Sequence, residues 1–222
     1  PRIFQKALSM GGIAGLESIQ AIFITHEHSD HIGGLATLTK QLRLPVYASR
    51  GTALQLCYRI AFLEDVIHPF QAAGAFSIGS LGITSFPPPH DSADSVGYTL
   101  TDGRRKAAVA TDLGHLTPAV SAGIAGAHLL VCEANHDVEW LRCGPYPYFL
   151  KQRILGDRGH LSNEAGAQLA LLAARNGART ILLAHLSAEN NTPARAYDTV
   201  CAALERAGAA VGGDVVLEVA PR

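Results

Sequence analysis

The sequence predicts a layered α/β fold in a single domain spanning residues 1–222, and three observations predict it. Short apolar, β-prone runs recur along the chain with capped helical segments around them, the pattern that buries sheet faces under helices. The length of 222 residues is enough for one sizeable core and does not require two. A composition of 48% hydrophobic and 17% charged residues excludes a disordered chain.

Taken in order, Ala21-Ile22-Phe23-Ile24-Thr25 suits a buried strand. Ile32, Leu35, Leu38 and Leu42 follow with helical spacing, and Pro45-Val46-Tyr47-Ala48 reads as the next strand. Phe76 to Phe86 looks extended. Val96–Thr101 and Lys106–Thr111 flank Asp102-Gly103, a hairpin signal because both residues tolerate the left-handed backbone of a tight turn. Thr117-Pro118 joins a hydroxyl N-cap to a proline whose missing N–H is not needed in a first helical turn. His128 to Cys132 is another buried strand. In the last third, Ser162 caps a helix running to about Asn176-Gly177, Arg179–Ala184 is a strand, Thr192-Pro193 opens a helix ending near Gly208, and Val215–Val219 is a final strand.

Bulk properties exclude some partners. A net charge of −1 gives no global attraction to nucleic acid or anionic membranes, so a polyanion would rely on bound cations or local basic residues. Such residues gather at Arg104, Arg105 and Lys106, and again at Lys151, Arg153 and Arg158. Cys57, Cys132, Cys143 and Cys201 form no CxxC pair and read as reduced thiols. With no signal peptide and no apolar run of spanning length, the expectation is a cytoplasmic protein without a membrane partner.

The chemistry concentrates in His26-Glu27-His28-Ser29-Asp30-His31. Three imidazoles and a carboxylate within six residues, directly after a buried strand, point to a metal site. Alternation puts His26 and His28 on one side of an extended segment, and Asp30 and His31 turn away at the helix start, so one segment can feed two adjacent ions. Gly33-Gly34 permits close backbone approach.

This run resembles the HxHxDH signature of the metallo-β-lactamase superfamily at every position. The resemblance implies a four-layer αββα sandwich and further ligands at later strand ends. His90, Asp112 and His185 occur in that order, each directly after a predicted strand. It implies His26, His28 and His90 on one ion, Asp30, His31 and His185 on the other, and Asp112 bridging two divalent ions. Nitrogen and oxygen donors without thiolates suit Zn²⁺ or Mn²⁺ alike. Pro89-His90-Asp91, Thr111-Asp112-Leu113-Gly114-His115, Glu133-Ala134-Asn135-His136-Asp137, Gly159-His160-Leu161-Ser162-Asn163 and Ala184-His185-Leu186-Ser187 together resemble the YycJ/WalJ-type branch, associated with exonuclease action on DNA. Family members carry strands and an Asp-Cys-Gly-like turn ahead of the signature. Too few residues precede His26 for that segment, so the chain is expected to lack its first strands, with edge backbone exposed as the consequence.

These expectations combine into a metal-dependent phosphodiesterase, a 5′–3′ exonuclease on DNA, in which a metal-bridging hydroxide attacks phosphorus. Asp30 would orient or deprotonate the water, and His160 would contact a phosphate or protonate the leaving oxygen. His136 is a candidate for supporting a ligand or facing substrate, and His115 for holding the Asp112 loop. His68 and His128 read as structural. The alternatives are a thioester, lactone or small phosphodiester hydrolase on the same site, or a non-catalytic metal-binding protein. Neither the substrate among these nor the oligomeric state follows from the sequence.

Overall fold

A computed structural model describes residues 18–221. The expected loss of leading strands concerns residues outside that range. Contacts divide the described chain into two compact units, one running to Ala72 and including Ser92–Val96, the other formed by Ala73–Asp91 and everything from Gly97 onward.

In the first unit, β1 (Ile22–Phe23), α1 (Ser29–Ile32), α2 (Leu35–Leu42), β2 (Val46–Ser49), α3 (Arg50–Arg59), a 3₁₀ turn (Ala61–Asp65) and β3 (Ile67–Phe70) build a sheet of order β1-β2-β3. Its strands are parallel, which requires the helical crossovers that α1, α2 and α3 supply. The single helix expected after the histidine run is two pieces, because Gly33 and Gly34 interrupt it. Ile24, Leu35, Val46, Leu56 and Leu63 fill the core. Phe23, Tyr47 and His68 are register partners whose rings stack at 5.0 and 5.1 Å, which gives His68 its structural place.

The second unit contains β4 (Ala75–Ile78), β5 (Leu81–Phe86), β6 (Gly97–Thr101), β7 (Lys106–Ala110), α4 (Pro118–Ile124), β8 (Leu129–Glu133), α5 (Val138–Cys143), α6 (Tyr148–Leu155), α7 (Asn163–Arg175), β9 (Thr180–Ala184), α8 (Pro193–Arg206) and β10 (Val216–Val219). Its sheet runs β10-β9-β8-β7-β6-β5-β4. The strands from β7 to β10 are parallel and those from β4 to β7 antiparallel. The extended Phe76–Phe86 stretch is therefore a hairpin, turned at Gly79 with φ +58°.

The helix starts read from sequence are capped as their chemistry requires. Thr117, Ser162 and Thr192 accept hydrogen bonds from the N–H groups of Val120, Ala165 and Arg195. Leu130, Leu169, Ile181, Leu183, Val200 and Leu204 are fully buried between this sheet and its helices, each contributing roughly 1.5–3 kcal/mol by leaving water. Gly166 brings α7 close to the sheet, since a Cβ there would lie 2.4 Å from the Glu133 carbonyl oxygen.

This topology positions chemistry. β7, β8 and β9 point the same way, and two antiparallel steps make β5 parallel to β7. His90, Asp112, Glu133 and His185 follow or end β5, β7, β8 and β9, so all four collect at one sheet edge, the carboxyl end where α/β sheets assemble sites.

Candidate metal centre

In the first unit, His26 is fully buried and its ring centroid lies 4.5 Å from that of His28 and 4.1 Å from that of His31. The Thr25 hydroxyl stands 3.2 Å from Nδ1 of both His26 and His31, fixing two of the three rings through one oxygen. Asp30 is exposed, with Oδ2 3.5 Å from His31 Nε2. Glu27, to which the sequence assigns no role, is buried and bonded to residues distant along the chain. Its Oε1 accepts the Ala93 N–H at 2.8 Å, its Oε2 accepts the Thr52 hydroxyl, and its carbonyl accepts from Arg59. These bonds tie the motif to α3 and to the Ser92–Val96 segment.

In the second unit, the buried Asp112 lies between two imidazoles. Its Oδ1 is 3.3 Å from His185 Nε2 and 3.8 Å from His90 Nε2. The other nitrogen of each ring is engaged. His90 Nδ1 lies 3.2 Å from the Gly159 carbonyl oxygen, which can only accept, so Nδ1 carries a proton and the neutral ring has its lone pair at Nε2. His185 Nδ1 is 2.8 Å from Glu133 Oε1.

Glu133 organises the cluster. It is fully buried and takes four hydrogen bonds: Oε1 from Nδ1 of His160 and of His185, each at 2.8 Å, and Oε2 from the Leu113 and Leu161 N–H groups at 3.2 and 3.1 Å. Burial pushes its carboxyl pKa up, but the two imidazole hydrogen bonds outweigh that and hold it below the ordinary value. The reciprocal effect acts on His160, where burial favours the neutral ring and the Glu133 bond and charge, with Asp112, keep it above its usual range.

Asp112 and His185 share a further mark. They have φ of +59° and +57°, and Arg43 is the only other non-glycine residue in this region among those described. Left-handed backbone at non-glycine residues costs about 1 kcal/mol or more and collects at functional sites. Asp112, Glu133, His160 and His185 bring nitrogen and oxygen atoms within 4.8 Å of one another; with the Glu133 carboxylate taken up by its four hydrogen bonds, Asp112 and His185 Nε2 are the donors here that suit a divalent cation.

The remaining candidates lie outside this group. His115 is exposed and its Nδ1 is 2.9 Å from the Asp157 carbonyl oxygen, tying the Asp112 loop to the loop that carries His160. His128 accepts the Lys106 N–H on Nδ1. His136 is buried, its Nδ1 3.3 Å from Asn135 Oδ1 and its Nε2 without a hydrogen-bond partner. Burial lowers its pKa to about 4.

That shift has a measurable consequence. The unfolded chain protonates His136 near 6.5, whereas the folded chain keeps it neutral until about pH 4. Stability is therefore lost as pH falls through 6.5, and the loss levels off below 4, amounting to about 3 kcal/mol. Thermal unfolding of chelated protein between pH 7 and pH 4 should show a smaller fall for His136→Phe than for the unsubstituted chain. Equal falls would contradict this assignment.

Comparison with known proteins agrees with this geometry. The chain belongs to the beta-lactamase superfamily domain family, whose model matches residues 4–186. It is 37% identical over 208 residues to "Exodeoxyribonuclease YycJ" of Bacillus anthracis, covering 93% of this chain and 79% of that protein. It is also 37% identical over 202 residues to "Exodeoxyribonuclease WalJ" of Streptococcus pneumoniae, covering 89% and 75%. The YycJ/WalJ-type resemblance read from the motifs therefore holds. Among solved structures, the metallo-beta-lactamase fold protein YhfI of Bacillus subtilis matches with a TM-score of 0.68 at 18% identity, over 99% of this chain and 81% of that one. Zn²⁺-bound PqqB of Methylobacterium extorquens matches at 0.62 and 21% identity, over 91% and 71%. These two likenesses establish the fold. Among the described residues, no helix is long and apolar enough to cross a membrane.

Proposed function

We propose that the chain is a divalent-metal-dependent phosphodiesterase that removes nucleotides from the 5′ end of DNA. The substrate class is carried by the 37% identity, across 93% of the chain, to a protein named as an exodeoxyribonuclease. The ligand set is the one the resemblance implies: His26, His28 and His90 for one ion, Asp30, His31 and His185 for a second, Asp112 for both, with Zn²⁺ and Mn²⁺ the candidates. Nδ1–H bonding of His90 and His185 supports it, because in the neutral rings it leaves the Nε2 lone pairs beside Asp112 for a metal ion. Bound divalent ions would lower the pKa of a water and neutralise phosphate charge.

The residues divide the remaining work. Glu133 holds the His160 and His185 rings at Nδ1. His160 is half-buried and held toward its charged form, which suits a proton donor at Nε2 for the leaving oxygen. Asp30 is exposed and able to orient the attacking water. Four free cysteines fit a cytoplasmic setting.

The test is a substrate panel with metal-loaded protein: 5′-phosphorylated single- and double-stranded DNA, RNA, a thioester and bis-p-nitrophenyl phosphate. Release of mononucleotides from DNA is expected. Turnover of the thioester alone would end the nuclease reading.

A further inference from the structure

Between Glu133 and His160 the chain makes an excursion that begins and ends at the metal cluster. It concentrates aromatic residues: the chain's one tryptophan, Trp140, with Tyr146, Tyr148 and Phe149. Tyr148 and Phe149, in the first turn of α6, are 77% and 73% exposed, although aromatic rings of this size are normally buried. No residue of α6 is fully buried, and Tyr148, Phe149, Gln152 and Arg153 are exposed. Trp140 is 39% exposed, and the Arg195 guanidinium stacks 4.2 Å from its ring centroid.

Uncompensated positive charge lies in the same segment. Lys151 Nζ donates to the Arg142 carbonyl, and Arg158 donates through Nε and Nη2 to the His90 carbonyl at 2.9 and 2.6 Å. A carbonyl orients a cation without cancelling its charge. Arg142 meets Glu139 in an exposed pair worth little, and Arg153 pairs with Asp91. In a chain of net charge −1, this segment carries Arg142, Lys151, Arg153 and Arg158 against Asp137, Glu139 and Asp157, and Asp137 is itself paired with Arg195 from outside the segment.

We propose that α5, α6 and their connection form a platform on which a single nucleic-acid strand lies, bases stacked on Tyr148 and Phe149 and phosphates facing Lys151 and Arg158. Solvent-exposed rings interleaved with cations are the recognition chemistry of single strands, because every base has a stacking face and every linkage a charge. The platform arises directly from the elements bearing Glu133 and His160, so a strand held there is delivered to the cluster at the same sheet edge. A purely hydrophobic partner would leave Lys151 and Arg158 without counter-charge. The proposal rests on the nuclease reading for its substrate and extends it to how that substrate is held.

The test measures binding of a labelled, 5′-phosphorylated oligothymidylate by fluorescence anisotropy in chelator, where cleavage cannot occur. The double substitution Tyr148→Ala with Phe149→Ala should weaken binding about fivefold or more, because base–aromatic stacking contributes ~1–3 kcal/mol per base. The exchange Tyr148→Phe with Phe149→Tyr should retain it. In metal-loaded protein, the loss should appear as a raised KM for DNA. Unchanged affinity in the double alanine variant overturns the platform, as does equal loss in the aromatic exchange. So does an unchanged affinity accompanied by a shift from dimer to monomer, which would assign the face to a second copy of the chain. If the unsubstituted protein binds the oligonucleotide in this way but releases no nucleotides with any metal, the platform stands and the nuclease reading fails. If it cleaves DNA equally well with and without the two rings, the reverse holds.

Discussion

Replacing Glu133 with glutamine is expected to cost metal affinity far more than it costs stability. The argument follows from which donors around the carboxylate can change. Oε2 accepts two backbone N–H groups, from Leu113 and Leu161, and these cannot become acceptors. A glutamine must therefore present its carbonyl to them and its NH₂ to the two imidazoles. Facing a donor, His160 and His185 must accept at Nδ1 and carry the proton on Nε2 instead. That proton occupies the lone pair His185 would offer beside Asp112. Removing a partner that orients a ligand typically costs 10–100-fold in metal affinity or activity, and the same range is expected for Glu133→Gln. Glu133→Ala differs in kind. It leaves two buried N–H groups and two rings without an acceptor, and should destabilise the fold by about 3–5 kcal/mol. Elemental analysis after dialysis, read beside thermal unfolding, separates the two. Full metal retention by the glutamine variant would contradict the orienting role.

The second large effect is expected at Gly159. A Cβ there would lie 2.1 Å from the Ile154 carbonyl oxygen and 2.4 Å from that of Arg153, both backbone atoms at the end of α6, so no flexible side chain can move aside. Its own carbonyl holds His90 Nδ1, and the next residue is His160. Gly159→Ala must displace the loop, at a cost of about 1–3 kcal/mol. Because the displaced backbone orients two site rings, nuclease activity should fall on the order of a hundredfold, the usual penalty for misplacing a catalytic group by about an ångström. Steady-state kinetics with the melting temperature measures both effects. Activity within twofold of the unsubstituted protein would mean that this loop does not set ring positions.

Both effects depend on residues whose importance is tertiary and leaves no local pattern in the sequence. The histidine run, the strand-end positions of His90, Asp112 and His185, and the capped starts of α4, α7 and α8 were legible, because each is a local pattern of residue type and spacing. Nothing local in Glu133-Ala134-Asn135-His136-Asp137 marks Glu133 out. Its four partners come from segments as far away as His185, and only the parallel pairing of β7, β8 and β9 assembles them. Glu27 is silent in the sequence for the same reason, since its partners Thr52 and Ala93 are remote along the chain. Helices α5 and α6 are short and separated by Gly144, Pro145 and Pro147, so no periodic stretch is long enough to announce them. Strand β3 contains Pro69, a residue tolerated because this strand lies at a sheet edge.

We infer that this chain uses divalent metal to hydrolyse DNA from a 5′ end. The most direct test strips the protein with chelator, reloads it with Mn²⁺ or Zn²⁺, and follows 5′-phosphorylated DNA labelled at either end. Metal-dependent hydrolysis should give no cleavage without metal, mononucleotides from the 5′ end after reloading, and loss of that activity in Asp112→Ala. Cleavage that persists after complete metal removal, or its absence with either ion while both are bound, would contradict it.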